Sequence, residues 1–97
     1  MQDSEVLVVV EVRSVTDPEA MKTYQNGARQ QIGAYGASVI ARGGSTLEGA
    51  PAFGPLMVQR WPSEQAFRSW QDSEEYRPLR AVRESCADLR IAVIPLV

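Results

Sequence analysis

Histidine is absent from this sequence of 97 residues, and cysteine occurs once, at Cys86. Without histidine, the chain has no means of forming a Ser-His-Asp triad, a Cys-His nucleophile, a histidine-ligated haem or the usual zinc sites. A single cysteine excludes a disulfide within the chain and fits a reducing compartment. We therefore predict no metal and no cofactor, so that any chemistry has to come from the remaining polar side chains.

Long apolar runs and clusters of basic residues are missing as well. The longest apolar run, Val6 to Val10, is far too short to cross a bilayer, and the polar, acidic start Met1–Glu5 is unlike a signal peptide. The net charge of -2 comes without a basic stretch, which argues against binding of nucleic acid or of an anionic membrane. These absences predict a cytoplasmic protein in which residues 1–97 form one domain.

The first part of the chain predicts a strand, a helix and a second strand. Val6–Arg13 is β-branched and uninterrupted, which is typical of a central strand. Thr16-Asp17-Pro18-Glu19 opens a helix, because a capping residue is followed by proline and an acid in the first turn. The helix should end near Ile32 or Gly33, and Ala37–Arg42 then forms the second strand.

Both the first strand and the first helix have two distinct faces. Alternation in the strand places Val8, Val10 and Val12 on one side and Val9, Glu11 and Arg13 on the other. The apolar stripe of the helix is predicted to consist of Ala20, Met21, Tyr24, Ala28 and Ile32. The remaining side of the helix is expected to face water, and it consists of Lys22, Gln25, Asn26, Arg29 and Gln30.

The middle of the chain predicts a loop, a third strand and a capped helix. Ser45–Pro55 is rich in alanine, proline and glycine, and a loop of this length is more often functional or mobile than idle. Leu56–Trp61 reads as the third strand, which Pro62 ends. Ser63 caps the following helix, whose apolar face consists of Ala66, Phe67 and Trp70.

Proline also divides the last third of the chain. Pro78 cannot lie deep inside a helix without removing a hydrogen bond, so a break is predicted between Asp72 and Arg77. A further helix is expected from about Pro78 to Ala87, and Leu89–Ile94 forms the last strand.

The predicted order of elements is βαββαβ, which is the ferredoxin-like arrangement of a four-stranded antiparallel sheet with helices on one face. The other face is also rich in apolar residues and has to be buried by something. A second copy of the chain is the simplest cover, and it would help a domain whose own core is modest. We therefore predict an α+β fold in a homodimer, which together form a dimeric α+β barrel.

A set of short motifs runs in order from near residue 6 to residue 94. It consists of Thr16-Asp17-Pro18-Glu19, Tyr24, Tyr35-Gly36, Arg42-Gly43-Gly44, Leu47-Glu48-Gly49, Pro62-Ser63, Ala66, Trp70, Ser73, Glu75-Tyr76 and Leu79-Arg80. With these motifs the chain resembles the domain-of-unknown-function family 1330, within the dimeric α+β barrel superfamily. The resemblance implies the same fold and a dimer. It implies no general reaction, because relatives in the superfamily include cofactor-independent monooxygenases of polyketide quinones, lactone isomerases, haem enzymes and amino-acid-sensing domains.

The chain departs from the family's pattern at four positions. Glu74 stands where the family usually has proline and Gln71 where it has tyrosine, and the third strand carries Gln59 and Arg60 instead of an apolar and an acidic residue. Gln59 puts an amide among apolar residues on one sheet face. This departure is what a specialised pocket would require.

Aromatic residues gather between Trp61 and Tyr76, and we predict that this stretch forms one wall of a pocket between the sheet and the helices. A tryptophan N–H in that wall would orient a ligand carbonyl. The alternative is that these aromatics are core alone. The residues expected to contact the ligand are Trp61, Phe67, Trp70, Tyr76 and Gln59.

Three polar residues are candidates for catalysis. Tyr24 would donate a hydrogen bond or a proton to an enol or ketone, unless it is only a buried tyrosine that bonds the backbone. Arg42 would clamp a carboxylate or enolate, or else form an ion pair with Glu48 or Asp17. Glu11 would serve as a base if burial raised its pKa, the alternative being an edge position or an ion pair at the dimer interface.

Two functions follow from this set of residues. The first is a cofactor-independent enzyme of monooxygenase, isomerase or cyclase type, which oxygenates, isomerises or cyclises a small enolisable metabolite in secondary or accessory metabolism. The second is a dimeric small-molecule binding or accessory protein without turnover, and a structural dimer without a ligand is a third. An enzyme should have a carboxylate or tyrosine with a strongly shifted pKa in a cavity, and a binding protein should have a cavity without such a group. A structural dimer should have a filled core around Trp70.

Overall fold

Four strands and three helices alternate along residues 4–97, the part of the chain that the structure, a computed structural model, describes. They are β1 (Val6–Val15), α1 (Pro18–Gly33), β2 (Ser38–Gly43), β3 (Leu56–Trp61), α2 (Glu64–Gln71), α3 (Arg77–Cys86) and β4 (Ala87–Pro95). The predicted order βαββαβ is confirmed, with the second helical region divided into α2 and α3. Within residues 4–97, no helix has the length and apolar character needed to cross a membrane.

The strands form one antiparallel sheet in the order β2-β3-β1-β4. β1 lies between β3 and β4, so that Val8 is opposite Gln59 on one side and Val93 on the other. This is the predicted ferredoxin-like α+β arrangement. β2 is an edge strand with a bulge between Val39 and Ala41.

The starts of α1 and α2 are capped as the sequence predicts. The Asp17 side chain accepts a hydrogen bond from the Ala20 N–H at 3.1 Å, and the Ser63 hydroxyl accepts one from the Ala66 N–H at 3.0 Å. Each cap satisfies a backbone donor that has no partner inside its helix, and is worth about 1 kcal/mol.

The break between α2 and α3 lies where Pro78 predicts it. α2 ends at Gln71, and α3 begins just before Pro78. Ser73 bridges the break, since its hydroxyl donates to the Trp70 carbonyl at 2.7 Å and accepts from the Tyr76 N–H at 3.2 Å. These bonds hold Trp70 and Tyr76 in a fixed relation although they belong to different helices.

The two faces of the sheet differ in what covers them. The helices pack on the face that carries Val6 and Val8, and the core between the two layers is made of Val6, Val8, Met21, Tyr24, Ile32, Ala37, Trp61, Phe67, Trp70, Tyr76 and Cys86. The opposite face has no helix over it. It carries Leu7 and Val9 of β1, Leu56 and Val58 of β3, and Ala92 and Ile94 of β4.

The loop before β3 is bound to β1 on this second face. The Val12 N–H donates to the Pro55 carbonyl at 2.9 Å, and the Gly54 N–H donates to the Glu11 carboxylate at 3.0 Å. Gly54 passes so close to β1 that a Cβ atom on it would overlap the Val12 carbonyl oxygen. The close approach therefore requires glycine at this position.

Replacing Gly54 by alanine should lower the free energy of unfolding by about 1–3 kcal/mol, because the methyl group would push the loop away from β1. Thermal denaturation measures the loss. Gly33→Ala is the matched control, since a Cβ there meets nothing within 4 Å and alanine favours the helix. Equal melting temperatures for Gly54→Ala and the wild type would show that the loop does not lie against β1.

Candidate functional site

A small cleft opens between the sheet and helices α1 and α2. Its volume is about 50 Å³, well below the roughly 300–1,000 Å³ of typical ligand pockets, so a ring-sized ligand has to displace side chains. Its apolar lining consists of Val10, Val12, Met21, Ala28, Ile32, Val39, Met57, Phe67, Trp70, Leu89 and Ile91. Its polar lining consists of Tyr24, Gln25, Arg29, Gln59 and Gln71.

No carboxylate lines the cleft in the described part of the chain. Among residues 4–97, no three cysteine, aspartate or glutamate side chains lie close enough together to hold a metal ion. The polar groups at hand are therefore amides, one phenol and one guanidinium. This set can donate hydrogen bonds to a ligand, but it offers no ordinary base.

Phe67 and Trp70 of α2 form the aromatic wall of the cleft. Trp61 and Tyr76 do not line it, because they lie fully buried behind that wall. The ring of Trp70 has its centre 4.1 Å from that of Tyr76 and 5.6 Å from that of Trp61. Aromatic pairs of this kind contribute about 0.5–1.5 kcal/mol each beyond their buried area, so the two buried rings support the wall.

Both indole N–H groups donate within the protein. Trp70 Nε1 donates to Gln31 Oε1 at 3.0 Å, and Trp61 Nε1 donates to Gln59 Oε1 at 2.8 Å. In this arrangement neither tryptophan is available to orient a ligand carbonyl, which is the role the sequence suggested for one of them.

Gln59 is the polar group most deeply set among apolar neighbours. It is buried on the cleft side of β3, and its Oε1 is occupied by the Trp61 indole. Its amide nitrogen meets the Met57 sulfur at 3.6 Å, and a thioether is a weak acceptor. Gln59 therefore keeps the capacity to donate a hydrogen bond into the cleft.

Tyr24 lines the cleft from α1, and its hydroxyl lies 2.7 Å from the Tyr76 hydroxyl. The Arg83 guanidinium donates in turn to the Tyr76 oxygen at 2.9 Å. Burial raises the pKa of Tyr24 well above the usual value of 10.0, the Tyr76 hydroxyl adds to this rise, and Arg83 opposes it. Tyr24 thus stays neutral and keeps its proton at physiological pH.

The two tyrosine hydroxyls carry one proton more than their mutual hydrogen bond uses. Only one of the two hydroxyl protons can lie between the Tyr24 and Tyr76 oxygens. Tyr76 is fully buried, and a buried hydroxyl proton without an acceptor costs about 1–3 kcal/mol. Either hydroxyl can be the donor in this pair. In the direction Arg83 to Tyr76 to Tyr24, the fully buried Tyr76 proton has an acceptor, and the Tyr24 proton has none among the described residues.

Glu11 does not reach the cleft, because it lies on the opposite face of the sheet. Its carboxylate accepts from Arg90 Nε at 2.7 Å and from the Gly54 N–H at 3.0 Å. The Gly54 N–H, with Arg90 second, holds the pKa of Glu11 below its usual value. A base with a raised pKa would need the reverse. Glu11 instead forms an ion pair with Arg90 of the same chain, on a central strand, whereas the alternative considered was an edge position or an ion pair at the dimer interface.

Arg42 lies beside the cleft, in a groove that runs along the edge strand β2. Neither Glu48 nor Asp17 is within 4.0 Å of it in the described structure, so the alternative ion pair is absent. Of the eight predicted site residues, the structure brings four together around the cleft, and these are Tyr24, Gln59, Phe67 and Trp70.

Two cleft residues, Gln25 and Arg29, were expected to face water. Each follows a residue of the apolar stripe, Tyr24 or Ala28, and so lies at the border of that stripe. Their long side chains extend from this border to the cleft. The signal that would have found them is this border position together with the length of the side chain.

The profile of the family described as domain of unknown function (DUF1330) matches residues 5–97. A protein of unknown function from Rhodopseudomonas palustris has a solved structure that is 18% identical, with a TM-score of 0.82 over 99% of this chain and 85% of that one. No curated protein matches the chain.

Two further solved structures share the fold. The cofactor-independent oxygenase SnoaB from Streptomyces nogalater is 11% identical, with a TM-score of 0.66 over 97% of this chain and 94% of that one. A dimeric ferredoxin-like protein of unknown function from Thermobifida fusca YX is 17% identical, with a TM-score of 0.63 over 99% and 94%. At such identities these structures establish the fold alone.

The raised pKa of Tyr24 predicts a steep loss of stability in alkali. Below about pH 10 the phenol is neutral in both states and its contribution is complete, whereas at higher pH the unfolded chain ionises and the folded Tyr24 does not. Tyr24→Phe should therefore reduce the slope of unfolding free energy above about pH 10 by about 1.4 kcal/mol per pH unit. Urea unfolding at a series of pH values measures this slope.

The control is Val82→Ala, which removes partly buried apolar surface and retains both tyrosines. It should lower stability at every pH and leave the alkaline slope as in the wild type. A slope in Tyr24→Phe that equals the wild-type slope would contradict the assignment.

Proposed function

The chain belongs to the family described as domain of unknown function (DUF1330), and we propose that it binds a small enolisable metabolite in the cleft and acts on it as a cofactor-independent enzyme. The observation that carries this proposal is the Arg83–Tyr76–Tyr24 chain of hydrogen bonds, which leaves a donor proton on a cleft-lining phenol when Tyr76 is the donor to Tyr24. A tyrosine with a strongly shifted pKa in an apolar cleft is the feature expected of an enzyme and not of a non-catalytic binding protein.

The proposed chemistry is the stabilisation of an enolate oxygen. The neutral Tyr24 hydroxyl and the Gln59 amide N–H would donate to that oxygen, in the manner of an oxyanion hole. Because no carboxylate lines the cleft among the described residues, the substrate would have to release its proton to water, as acidic enols and phenols do. The resulting enolate would then be open to oxygenation by O2, to isomerisation or to cyclisation, and Phe67 and Trp70 would hold its ring.

The comparisons support this chemistry only in general terms. SnoaB is described as a cofactor-independent oxygenase, and its likeness to this chain lies in the fold. The fold is therefore compatible with catalysis that needs no cofactor, which is what the proposal requires of this chain.

A non-catalytic binding or accessory protein is the second candidate, and two observations favour it. The cleft has a volume of only about 50 Å³, and no carboxylate lines it among the described residues. A protein that only holds a preformed enol or acid needs neither a larger rigid cavity nor a proton acceptor.

We further propose that the protein is a homodimer that pairs through the sheet face opposite the helices. That face carries Leu7, Val9 and Val58 without a helix to cover them. Burying apolar area stabilises association by about 25 cal/mol per Å², and the T. fusca relative with this fold is described as dimeric. The cleft lies on the other side of the sheet and would stay open in such a dimer.

Ala92→Asp tests the dimer. Ala92 is exposed in the single chain and faces Val9 across the β1–β4 pairing, so a charge there is tolerated by the fold but would be buried without a partner in the dimer. The variant should sediment as a folded monomer where the wild type sediments as a dimer. Ala81→Asp, at an exposed position on α3, is the matched control and should remain dimeric. A dimeric Ala92→Asp or a monomeric wild type would refute this interface.

Tyr24→Phe tests the catalytic role. With cyclic diketones and hydroxynaphthoquinones as candidate substrates, the variant should lose about a hundredfold in turnover, as expected for removal of one oxyanion donor. Its stability at neutral pH should fall by only about 1–2 kcal/mol, which melting curves would show.

Tyr35→Phe is the control, because the Tyr35 hydroxyl donates to Glu75 at 3.1 Å and does not line the cleft. It should retain turnover. If losses of turnover in both variants followed losses of stability alone, the catalytic role of Tyr24 would be wrong. Binding of these compounds to the wild type without any turnover would favour the binding protein instead.

A further inference from the structure

The groove along β2 adjoins the cleft. The two share Arg29, Ile32 and Val39, which line both. The groove is larger than the cleft, with a volume of about 520 Å³. Arg29 therefore lies where the two cavities adjoin.

Arg42 lies on the same side of the sheet as the cleft. It is paired in register with Met57 of β3, and residues opposite each other on neighbouring strands point to the same face. Met57 lines the cleft, and Arg42 lines the groove. Arg29 of α1 and Arg42 of β2 thus both line the groove beside the cleft.

These two arginines differ from most others in the chain by having no carboxylate partner. In the described residues, neither Arg29 nor Arg42 has an acidic oxygen within 4.0 Å. Six other arginines do, and these are Arg13, Arg60, Arg68, Arg80, Arg83 and Arg90. The chain carries a net charge of -2, so two unpaired cations at one cleft mouth form a local exception.

We propose that the natural ligand is a small organic acid, whose ring lies in the cleft and whose carboxylate is held by Arg29 and Arg42. This inference rests on the proposed function, because it names the class of molecule that the cleft takes. The apolar walls suit a ring, and a guanidinium matches the planar geometry of a carboxylate with two parallel hydrogen bonds.

The polar groups of the cleft floor point to the same class. Gln59 and Tyr24 each offer a donor, and the Gln59 oxygen is already bonded to Trp61. With donors at the floor and two cations at the mouth, the site favours a ligand with an acceptor oxygen at each end. A ring compound that carries an enol or ketone opposite a carboxylate fits this pattern.

Binding of phenylacetate and of phenylacetamide separates the charge from the ring. The wild type should bind the carboxylate about tenfold more tightly than the amide, as expected for one charge-assisted hydrogen bond. Arg29→Gln and Arg42→Gln should each weaken carboxylate binding more than amide binding, with the larger effect at Arg29 because it lines both cavities. Titration calorimetry at low and at high salt measures these affinities, and salt should reduce the preference.

Arg77→Gln is the matched control, because Arg77 is an exposed arginine at the start of α3 that lines neither cavity. It should leave both affinities as in the wild type. Equal affinity of the wild type for acid and amide, or equal losses in all three arginine variants, would overturn the carboxylate site and leave the cleft in place. Failure of the wild type to bind either probe would overturn the cleft itself, and this inference with it.

Discussion

The structure depends on one constraint. The helices cover only one face of the sheet, although the central strand β1 carries apolar residues on both of its faces. On the covered face, Val6 and Val8 are buried under α1 and α2, and the helices leave a cleft where they diverge from the sheet. On the uncovered face, Leu7 and Val9 have no helix over them in the described part of the chain. The cleft proposed to bind a ligand and the face proposed to form the dimer therefore lie on opposite sides of the same strands.

The stiffness of the cleft wall comes from residues that never touch the cleft. Trp61 and Tyr76 have no exposed surface, and both their rings lie against Trp70. Polar groups of these rings are bonded inside the protein, Trp61 to Gln59 and Tyr76 to Arg83. Because buried polar groups that lose their partners are costly, the rings have few alternative positions. Adaptation to a ligand then has to come from flexible side chains, of which Met21 and Met57 line the cleft.

Local sequence signals were sufficient for the fold. Strand β3 lies at its predicted limits, and the caps at Asp17 and Ser63 and the break before Pro78 are as expected, since each depends on residues within one turn. The site depends on longer connections. The Tyr24 hydroxyl forms a hydrogen bond with that of Tyr76, 52 positions away in the sequence. Which hydroxyl proton is left without an acceptor depends on this contact. Periodicity predicts which face a residue occupies, but not its partners.

Periodicity also failed to predict the surroundings of Glu11 and Arg29. Alternation placed Glu11 with Val9, opposite Val8, which is correct, yet its neighbours Gly54 and Arg90 are 43 and 79 positions away. Those neighbours lower its pKa, and no local pattern carries that information. For Arg29, a helical wheel predicts the position of the Cα atom at the border of the apolar stripe. It does not predict that the long side chain extends from there to the cleft.

The distribution of donors and acceptors is the strongest guide to what the cleft can hold. Two amide oxygens near it are used by indoles, that of Gln31 by Trp70 and that of Gln59 by Trp61. Under the proposed function, the groups that would face the ligand are donors, namely the Tyr24 hydroxyl and the Gln59 N–H. A buried donor is satisfied only by an acceptor, so an apolar ligand without oxygen would leave both groups unpaired at a cost of about 1–3 kcal/mol each. An enolate or a carbonyl would remove that cost. Because no carboxylate lines the cleft among the described residues, the negative charge of such an enolate would have to come from the ligand's own acidity.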